Sequence, residues 1–194
     1  CAFLFGASTV IMPKFEAEEW CRLVERWHGS ATVMVPAQYQ VILDSPAAQT
    51  RDLSSLKTLA TVGSHMREGI KRRMLEAFPC GYYEVYGLTE GFATIVRPED
   101  LPAKIVSVGR AMLGNDIRII DDDGKELPQG EAGEIVGHSP ILMKGYHNSP
   151  EQTEAAIWRE PGSGRTFLRS GDIGRLDEDG FLFLLDRKKD MIVS

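Results

Sequence analysis

The sequence predicts an α/β fold in which a mainly parallel sheet with flanking helices is followed by a small antiparallel, β-barrel-like subdomain. In the first half of the chain, apolar runs typical of strands alternate with segments of helical periodicity. Such alternation implies right-handed crossovers and a parallel sheet. In the second half, short strand-like runs follow one another with Asp-Gly turns, which favours hairpins. We therefore predict an α/β subdomain over residues 1–103 and a β-rich subdomain over residues 104–188.

The first elements follow from the spacing of apolar residues. Residues 9–12 are largely β-branched and apolar and predict a strand, whereas residues 15–27 carry apolar side chains at helical spacing. Residues 31–35 and 56–62 are apolar runs that predict two further strands. Pro36 is suited to the first position of a helix, so we expect a helix between these two strands.

A third long helix is predicted between residues 66 and 78, followed by a strand over residues 81–85. Met66, Ile70, Met74 and Phe78 mark its apolar face, so we place basic Arg67, Lys71 and Arg72 on the solvent face.

The second half reads as hairpins with one inserted helix. Its strands are predicted at residues 116–120, 133–136, 166–169 and 181–185. Asp-rich residues 121–124 lack the alternating ligand spacing of a calcium loop, which favours a hairpin turn. Ser149 and Pro150 predict the N-cap and first residue of the helix, with Gln152 completing a capping box.

Composition narrows the class of protein. The 194 residues have 43% hydrophobic and 26% charged residues, as in ordinary globular proteins, and the net charge of -6 argues against nucleic-acid binding. Three cysteines without Cys-x-x-Cys spacing favour reduced thiols in the cytoplasm. No apolar run reaches the ~20 residues of a transmembrane helix. Because the chain begins at Cys1 and ends within apolar residues 191–194, we expect an internal segment of a longer protein.

The first candidate site is the segment of residues 85–90, Val-Tyr-Gly-Leu-Thr-Glu, which follows a predicted strand. Tyr86 offers a ring face on which an adenine could stack, and Gly87 permits close approach of the backbone to a ligand. Thr89 can donate to a phosphate oxygen, and Glu90 suits Mg²⁺ because hard cations prefer oxygen ligands. A polar turn without a ligand explains these residues equally well.

The second candidate is the strand-to-helix turn at residues 61–66, which contains Gly63, Ser64 and His65. A helix amino terminus preceded by Gly and Ser is suited to anions. An ordinary turn is the alternative, and His65 could face a substrate or simply begin the helix on the surface.

Two further candidates lie near the end of the chain. Asp172, within Ser-Gly-Asp-Ile-Gly at residues 170–174, could accept hydrogen bonds from a pair of sugar hydroxyls, or could simply form a turn. Residues 186–190, which include Arg187, are either ligand-binding or a solvated charge cluster. Taken together, the candidates indicate a nucleotide-triphosphate site assembled from distant parts of the chain.

These motifs, in this order, resemble the acyl-adenylate-forming enzymes, which include acyl-CoA synthetases, firefly luciferase and the adenylation domains of peptide synthetases. Residues 86–90 match the family's Tyr-Gly-x-Thr-Glu completely, and residues 170–174 match its Ser-Gly-Asp-x-Gly. The resemblance extends over essentially the whole chain. It departs at Ser64 and His65, where the family's Gly-Gly-Ala-Pro has alanine and proline.

The resemblance implies a role for each candidate residue. Tyr86 would stack on adenine with Gly87 beside it, Thr89 would meet the phosphates, and Glu90 would hold the metal. The remaining implied roles are ribose binding by Asp172, ribose or phosphate binding by Arg187, nucleotide contact by Gly63 and Ser64, an acid pocket with His65 and Val85, and a hinge at Lys189, within residues 189–194.

The resemblance also implies the reaction. With ATP and Mg²⁺, a fatty or aryl carboxylic acid would become an acyl-adenylate, and CoA would then displace AMP. The family's phosphate loop would precede Cys1 and its C-terminal domain would follow Ser194, so we expect little ligase activity from these 194 residues alone. A peptide-synthetase adenylation domain, a non-catalytic nucleotide-binding module and an unrelated scaffold are the alternatives; Leu88 in place of proline favours a CoA ligase. A homo-oligomer is compatible with the sequence.

Overall fold

The computed structural model describes residues 6–187, with the backbone alone for Arg187. The chain separates into two compact units, with the boundary between Tyr82 and Tyr83. These units are defined by their internal contacts, whereas the sequence-based subdomains rest on the pattern of strands and helices. The subdomain boundary near residue 103 therefore stays a prediction.

The first unit combines helices with a parallel pair of strands. Its elements are α1 (Ala17–Trp27), β1 (Ala31–Met34), α2 (Pro36–Asp44), α3 (Ala47–Thr50), β2 (Thr58–Thr61) and α4 (Glu68–Ala77). Strands β1 and β2 run parallel, with Ala31 opposite Thr58. Helix α2 connects to β2 through the Tyr39 hydroxyl, which donates to the Ala60 carbonyl at 2.9 Å. Trp20 of α1 packs edge-on against Phe78, with 6.5 Å between the ring centroids.

Two sequence-based expectations for the first unit are wrong. Residues 9–12 form no strand, since nothing in the described part of the chain pairs with them, and Val10 and Ile11 are exposed. Lys71 was expected on the solvent face of α4 but is fully buried. It lies three residues before buried Met74, a spacing that places both residues on the same helix face.

The second unit contains mainly antiparallel strands. The boundary between the units falls within its first strand, after Tyr82. The elements are β3 (Gly81–Gly87), β4 (Ala93–Val96), β5 (Arg110–Ala111), β6 (Asp116–Ile120), β7 (Gly133–His138), α5 (Pro150–Ala155), β8 (Ile157–Arg159), β9 (Thr166–Leu176) and β10 (Leu182–Arg187), with a short 3₁₀ turn at Pro98–Asp100. Strand β4 pairs antiparallel with β3 and with β5. The α/β class is therefore confirmed, with mixed rather than mainly parallel strand pairing.

The second sheet has the order β10-β9-β7-β6, with β8 paired to β9. Closing a barrel would require its edge strands to pair with each other. No such pairing occurs between residues 6 and 187, so the barrel-like arrangement is not confirmed. Part of the outer edge of β6 instead bonds to the chain that follows it, where the Leu127 amide donates to the Ile119 carbonyl at 2.8 Å.

The core of the second unit lies beneath the segment that the sequence singled out. Its fully or nearly buried members are Phe92, Val108, Ile117, Ile119, Ile135, Leu168 and Leu182. Tyr86 and Leu88 are partly buried and pack against this cluster. Burial of apolar surface therefore fixes the end of β3, where polar residues of the motif begin.

The inserted helix α5 begins at Pro150 as predicted, but the capping box is wrong. The Ser149 side chain makes no capping hydrogen bond. Its carbonyl instead accepts hydrogen bonds from the amide and the hydroxyl of Thr153, at 3.0 and 2.9 Å.

Candidate functional site

The motif at residues 85–90 spans the end of β3 and the turn into β4. Val85 and Tyr86 lie within the strand, which runs two residues further than predicted and ends at Gly87. The Leu88 amide donates to the Phe92 carbonyl at 3.1 Å and closes the turn. Thr89 is exposed and Glu90 is half-buried, so the turn presents a hydroxyl and a carboxylate at the surface of the second unit.

Tyr86 joins this motif to the one at Asp172. The Tyr86 hydroxyl donates to Oδ2 of Asp172 at 2.8 Å, across 86 residues of sequence. The Tyr86 ring lies edge-on to Phe92, with 6.3 Å between the centroids. Two segments that the sequence treated separately therefore meet in the same part of the second unit.

Asp172 was predicted at the end of a strand, and this is wrong. It lies inside the long strand β9, at a bulge opposite Ile135 of β7, where the register between the two strands shifts. Gly171 adopts a φ of 72°, which glycine tolerates best. The Ser170 hydroxyl donates to the Ile135 carbonyl at 2.8 Å and accepts from the Asp172 amide at 3.0 Å. A bulge of this kind re-aims a side chain without ending the strand.

Arg187 is the last residue of β10 and lies opposite Asp172 in the antiparallel register. The structure thus brings the backbone of the third motif beside the second, through a strand longer than the predicted 181–185. Lys189, the predicted hinge residue, lies outside the described residues.

Glu90 is held by a loop that sequence reasoning did not single out, residues 139–146, which we call the 139–146 loop. The Tyr146 hydroxyl donates to Oε1 of Glu90 at 3.0 Å, and the Met143 amide donates to the Glu90 carbonyl at 2.7 Å. The hydroxyl of Ser139 donates to the Gly91 carbonyl. Partial burial, together with the neighbouring Glu90 carboxylate, raises the pKa of Tyr146. No sequence spacing signals these contacts.

The donor set at the turn is suited to Mg²⁺ shared with a phosphate. Among residues 6–187, no cluster of three His, Cys, Asp or Glu side chains could hold a metal alone. Mg²⁺ usually takes one or two protein carboxylates and completes its shell with water and substrate phosphates. One carboxylate, Glu90, beside the exposed hydroxyl of Thr89 fits that pattern.

The connection between β2 and α4, residues 62–67, carries the second group of candidate residues. Ser64 and His65 are exposed, and Gly63 adopts a φ of 93°. The sequence placed the start of the helix at these residues, but α4 begins at Glu68. The connection bends at Gly63 and Ser64 and buries Met66 before the N-cap at Arg67. Ser64 therefore lies three residues before the N-cap and not at the helix amino terminus.

Comparisons with known proteins identify relatives of this chain. The family model described as AMP-binding enzyme matches residues 1–147. The medium/long-chain-fatty-acid–CoA ligase FadD8 of Mycobacterium tuberculosis is 33% identical, over 97% of this chain and 33% of the relative. The indoleacetate–CoA ligase of Aromatoleum aromaticum is 35% identical, over 97% of this chain and 36% of the relative. The chain thus spans about a third of the length of these curated relatives.

Solved structures of related enzymes also resemble this chain. The amide bond synthetase McbA from Marinactinospora thermotolerans superimposes with a TM-score of 0.87 at 30% identity, covering 97% of this chain and 38% of that one. The O-succinylbenzoate coenzyme A synthetase MenE from Bacillus subtilis, in complex with AMP, gives a TM-score of 0.84 at 26% identity, covering 100% and 38%. No helix in the described part of the chain is long and apolar enough to span a membrane. The chain belongs to the AMP-binding enzyme family.

Proposed function

We propose that this chain forms part of an ATP-dependent carboxylate–CoA ligase, which activates a fatty or aryl acid as an acyl-adenylate and transfers the acyl group to CoA. Family membership and the CoA ligases among its relatives support the ligase class. The acid and the thiol acceptor are part of the proposal.

The observation that carries this proposal is the hydrogen bond between Tyr86 and Asp172. In the proposed site, Tyr86 stacks on adenine and Asp172 accepts hydrogen bonds from the ribose hydroxyls. Base and ribose are adjacent in a nucleotide, so their binding residues must also be close. The 2.8 Å contact satisfies that requirement for two residues chosen independently from the sequence.

Thr89 and Glu90 then serve the triphosphate. The Thr89 hydroxyl donates to a phosphate oxygen, and the Glu90 carboxylate holds Mg²⁺, which offsets negative charge on the phosphates. Arg187 adds a cationic group near the ribose or phosphates, and the register of β10 beside Asp172 supports that role. Lys189 serves as the hinge in this proposal.

His65 and Val85 are proposed to line the acid pocket, and Gly63 and Ser64 to contact the nucleotide and border that pocket. No side chain acts as a nucleophile in this reaction. The carboxylate of the acid attacks the α-phosphorus of ATP and pyrophosphate leaves, after which the CoA thiol attacks the acyl carbon and AMP leaves. The protein contributes positioning and charge neutralisation, which suffice for large rate effects.

The proposed ribose contact can be tested by comparing two nucleotides. We expect the full-length protein to bind AMP more tightly than dideoxy-AMP, which lacks both ribose hydroxyls. Asp172→Ala removes the acceptor and should weaken AMP binding by roughly 10–100-fold, since hydrogen bonds to charged groups contribute about 1.5–3 kcal/mol. Binding of dideoxy-AMP should change little. Isothermal titration calorimetry measures both affinities.

Asp123→Ala is the matched control, because Asp123 is an exposed aspartate in a hairpin turn. It should leave both affinities unchanged. If Asp172→Ala weakened AMP and dideoxy-AMP equally, Asp172 would not bind the ribose hydroxyls. Nucleotide binding without any turnover across a panel of acids would favour a non-catalytic nucleotide-binding module over a ligase.

A further inference from the structure

The 139–146 loop crosses the turn that carries Thr89 and Glu90. Two of its contacts bind the backbone of the turn, at the carbonyl groups of Glu90 and Gly91. The third contact is different, because the Tyr146 hydroxyl donates to the Glu90 side chain at 3.0 Å. The turn therefore has separate supports for its backbone and for its carboxylate.

Tyr146 is itself anchored from the opposite side. Its amide donates to Oγ1 of Thr153 in α5 at 2.9 Å, and that hydroxyl donates to the Ser149 carbonyl at 2.9 Å. Gly145 allows the close approach, since a Cβ there would lie 3.0 Å from Thr153. The phenol thus projects from a backbone that is hydrogen-bonded to α5.

The contact with Tyr146 leaves the two oxygens of Glu90 in different situations. Oε1 accepts the phenolic hydrogen bond, whereas no donor within residues 6–186, whose side chains the structure describes, contacts Oε2. An ionised carboxylate only accepts hydrogen bonds, so the second oxygen can take a cation.

We propose that Tyr146 is a positioning residue for Glu90: by holding Oε1, it fixes the carboxylate and reserves Oε2 for Mg²⁺ bound with the nucleotide phosphates. This inference rests on the proposed function, which assigns the metal to Glu90. Residues that hydrogen-bond to a metal-binding carboxylate and orient it typically contribute about 10–100-fold to metal affinity.

A purely structural role would predict a different outcome. The Tyr146 side chain is 39% exposed, so its ring contributes only part of its area to packing. The backbone of the turn keeps its own hydrogen bonds to Ser139 and Met143 when the phenolic oxygen is removed. Tyr146→Phe should therefore alter the carboxylate selectively and leave the turn in place.

The test is the Mg²⁺ dependence of ATP binding to the full-length protein, measured by calorimetry. Tyr146→Phe should raise the Mg²⁺ concentration for half-maximal enhancement of ATP binding by roughly tenfold. Its affinity for AMP without Mg²⁺ should equal that of the unmodified protein, which also shows that the variant is folded. Tyr83→Phe, a matched change at a half-buried tyrosine in β3, should leave the Mg²⁺ requirement unchanged.

A double substitution distinguishes a failure of the role of Tyr146 from a failure of the metal role of Glu90. Glu90→Gln should itself raise the Mg²⁺ requirement, and adding Tyr146→Phe should then have no further effect. An unchanged Mg²⁺ requirement in Tyr146→Phe, or an equal increase in the Glu90→Gln background, overturns the role of Tyr146 while the proposed function stands. If Glu90→Gln left the Mg²⁺ requirement unchanged, the metal role of Glu90 would fall, and the role of Tyr146 with it.

Discussion

The two segments proposed to bind ligands differ in how they are held. The end of β3 and its turn, residues 85–90, are fixed by strand pairing, by packing of Tyr86 on the core and by the 139–146 loop. The connection at residues 62–67 exposes Ser64 and His65, but it buries Met66, whose sulfur accepts a hydrogen bond from the Tyr82 hydroxyl at 3.5 Å. Both segments are thus tied to remote parts of the chain, and they differ in the space around their glycines. A Cβ added at Gly87 would lie 2.5 Å from the nearest atom, whereas one added at Gly63 would lie 3.4 Å from it.

The same two segments differ in how far they match the resemblance. Residues 86–90 match the family pattern completely, and the side chains of Tyr86 and Glu90 have partners distant in sequence. The departures fall on Ser64 and His65, which are exposed. Substitutions at exposed positions usually change stability little, so we expect this part of the proposed site to tolerate substitution more readily.

The largest effect is expected from a matched pair of glycine substitutions. In Gly87→Ala the new Cβ would lie 2.5 Å from the Phe92 carbonyl oxygen, which also accepts the amide that closes the turn. The backbone must shift, at a cost of about 3 kcal/mol. In Gly63→Ala the nearest atom is a Val35 methyl group at 3.4 Å, and the positive φ costs about 1 kcal/mol. Urea denaturation of the two variants measures the difference.

Equal losses of stability in the two variants would contradict the comparison. That outcome would mean that an added Cβ displaces the backbone at Gly63 as much as at Gly87. A larger loss of stability in Gly63→Ala than in Gly87→Ala would mean that the connection at residues 62–67 is the more tightly packed of the two segments.

The sequence predicted most elements because their apolar spacing is local. It failed where the deciding contact is remote. Residues 170–172 looked like the end of a strand because glycine and aspartate favour turns, yet pairing with β7 and β10 carries β9 through them as a bulge. Likewise, no local pattern could show that Tyr146 reaches Glu90. Lys71 was misplaced for another reason, because its charge was given more weight than its spacing from Met74, which places both residues on the same helix face. The types of candidate residue were predictable, but the partners that orient them were not.

An intermediate effect is expected from Tyr86→Phe, which removes one hydroxyl from the firmly held segment. The ring remains for stacking, but the Asp172 carboxylate loses its 2.8 Å donor. A net hydrogen bond contributes about 1 kcal/mol, so AMP affinity should fall about fivefold. Dideoxy-AMP, which cannot bond to Asp172 through ribose hydroxyls, should bind as before. Calorimetry with both nucleotides measures this, and an equal loss for both would indicate altered stacking instead.

The smallest effect is expected from Ser64→Ala, which restores the family's alanine in the exposed connection. Because Ser64 is exposed, stability should change by less than about 0.5 kcal/mol. The relative kcat/KM of the full-length protein for an aliphatic and a hydroxylated aryl acid should shift by up to about tenfold, since a hydroxyl in a pocket wall discriminates between such substrates. A loss of stability comparable to that of Gly87→Ala would instead show that Ser64 supports the fold. The exposure of Ser64 would then no longer explain why this position tolerates substitution.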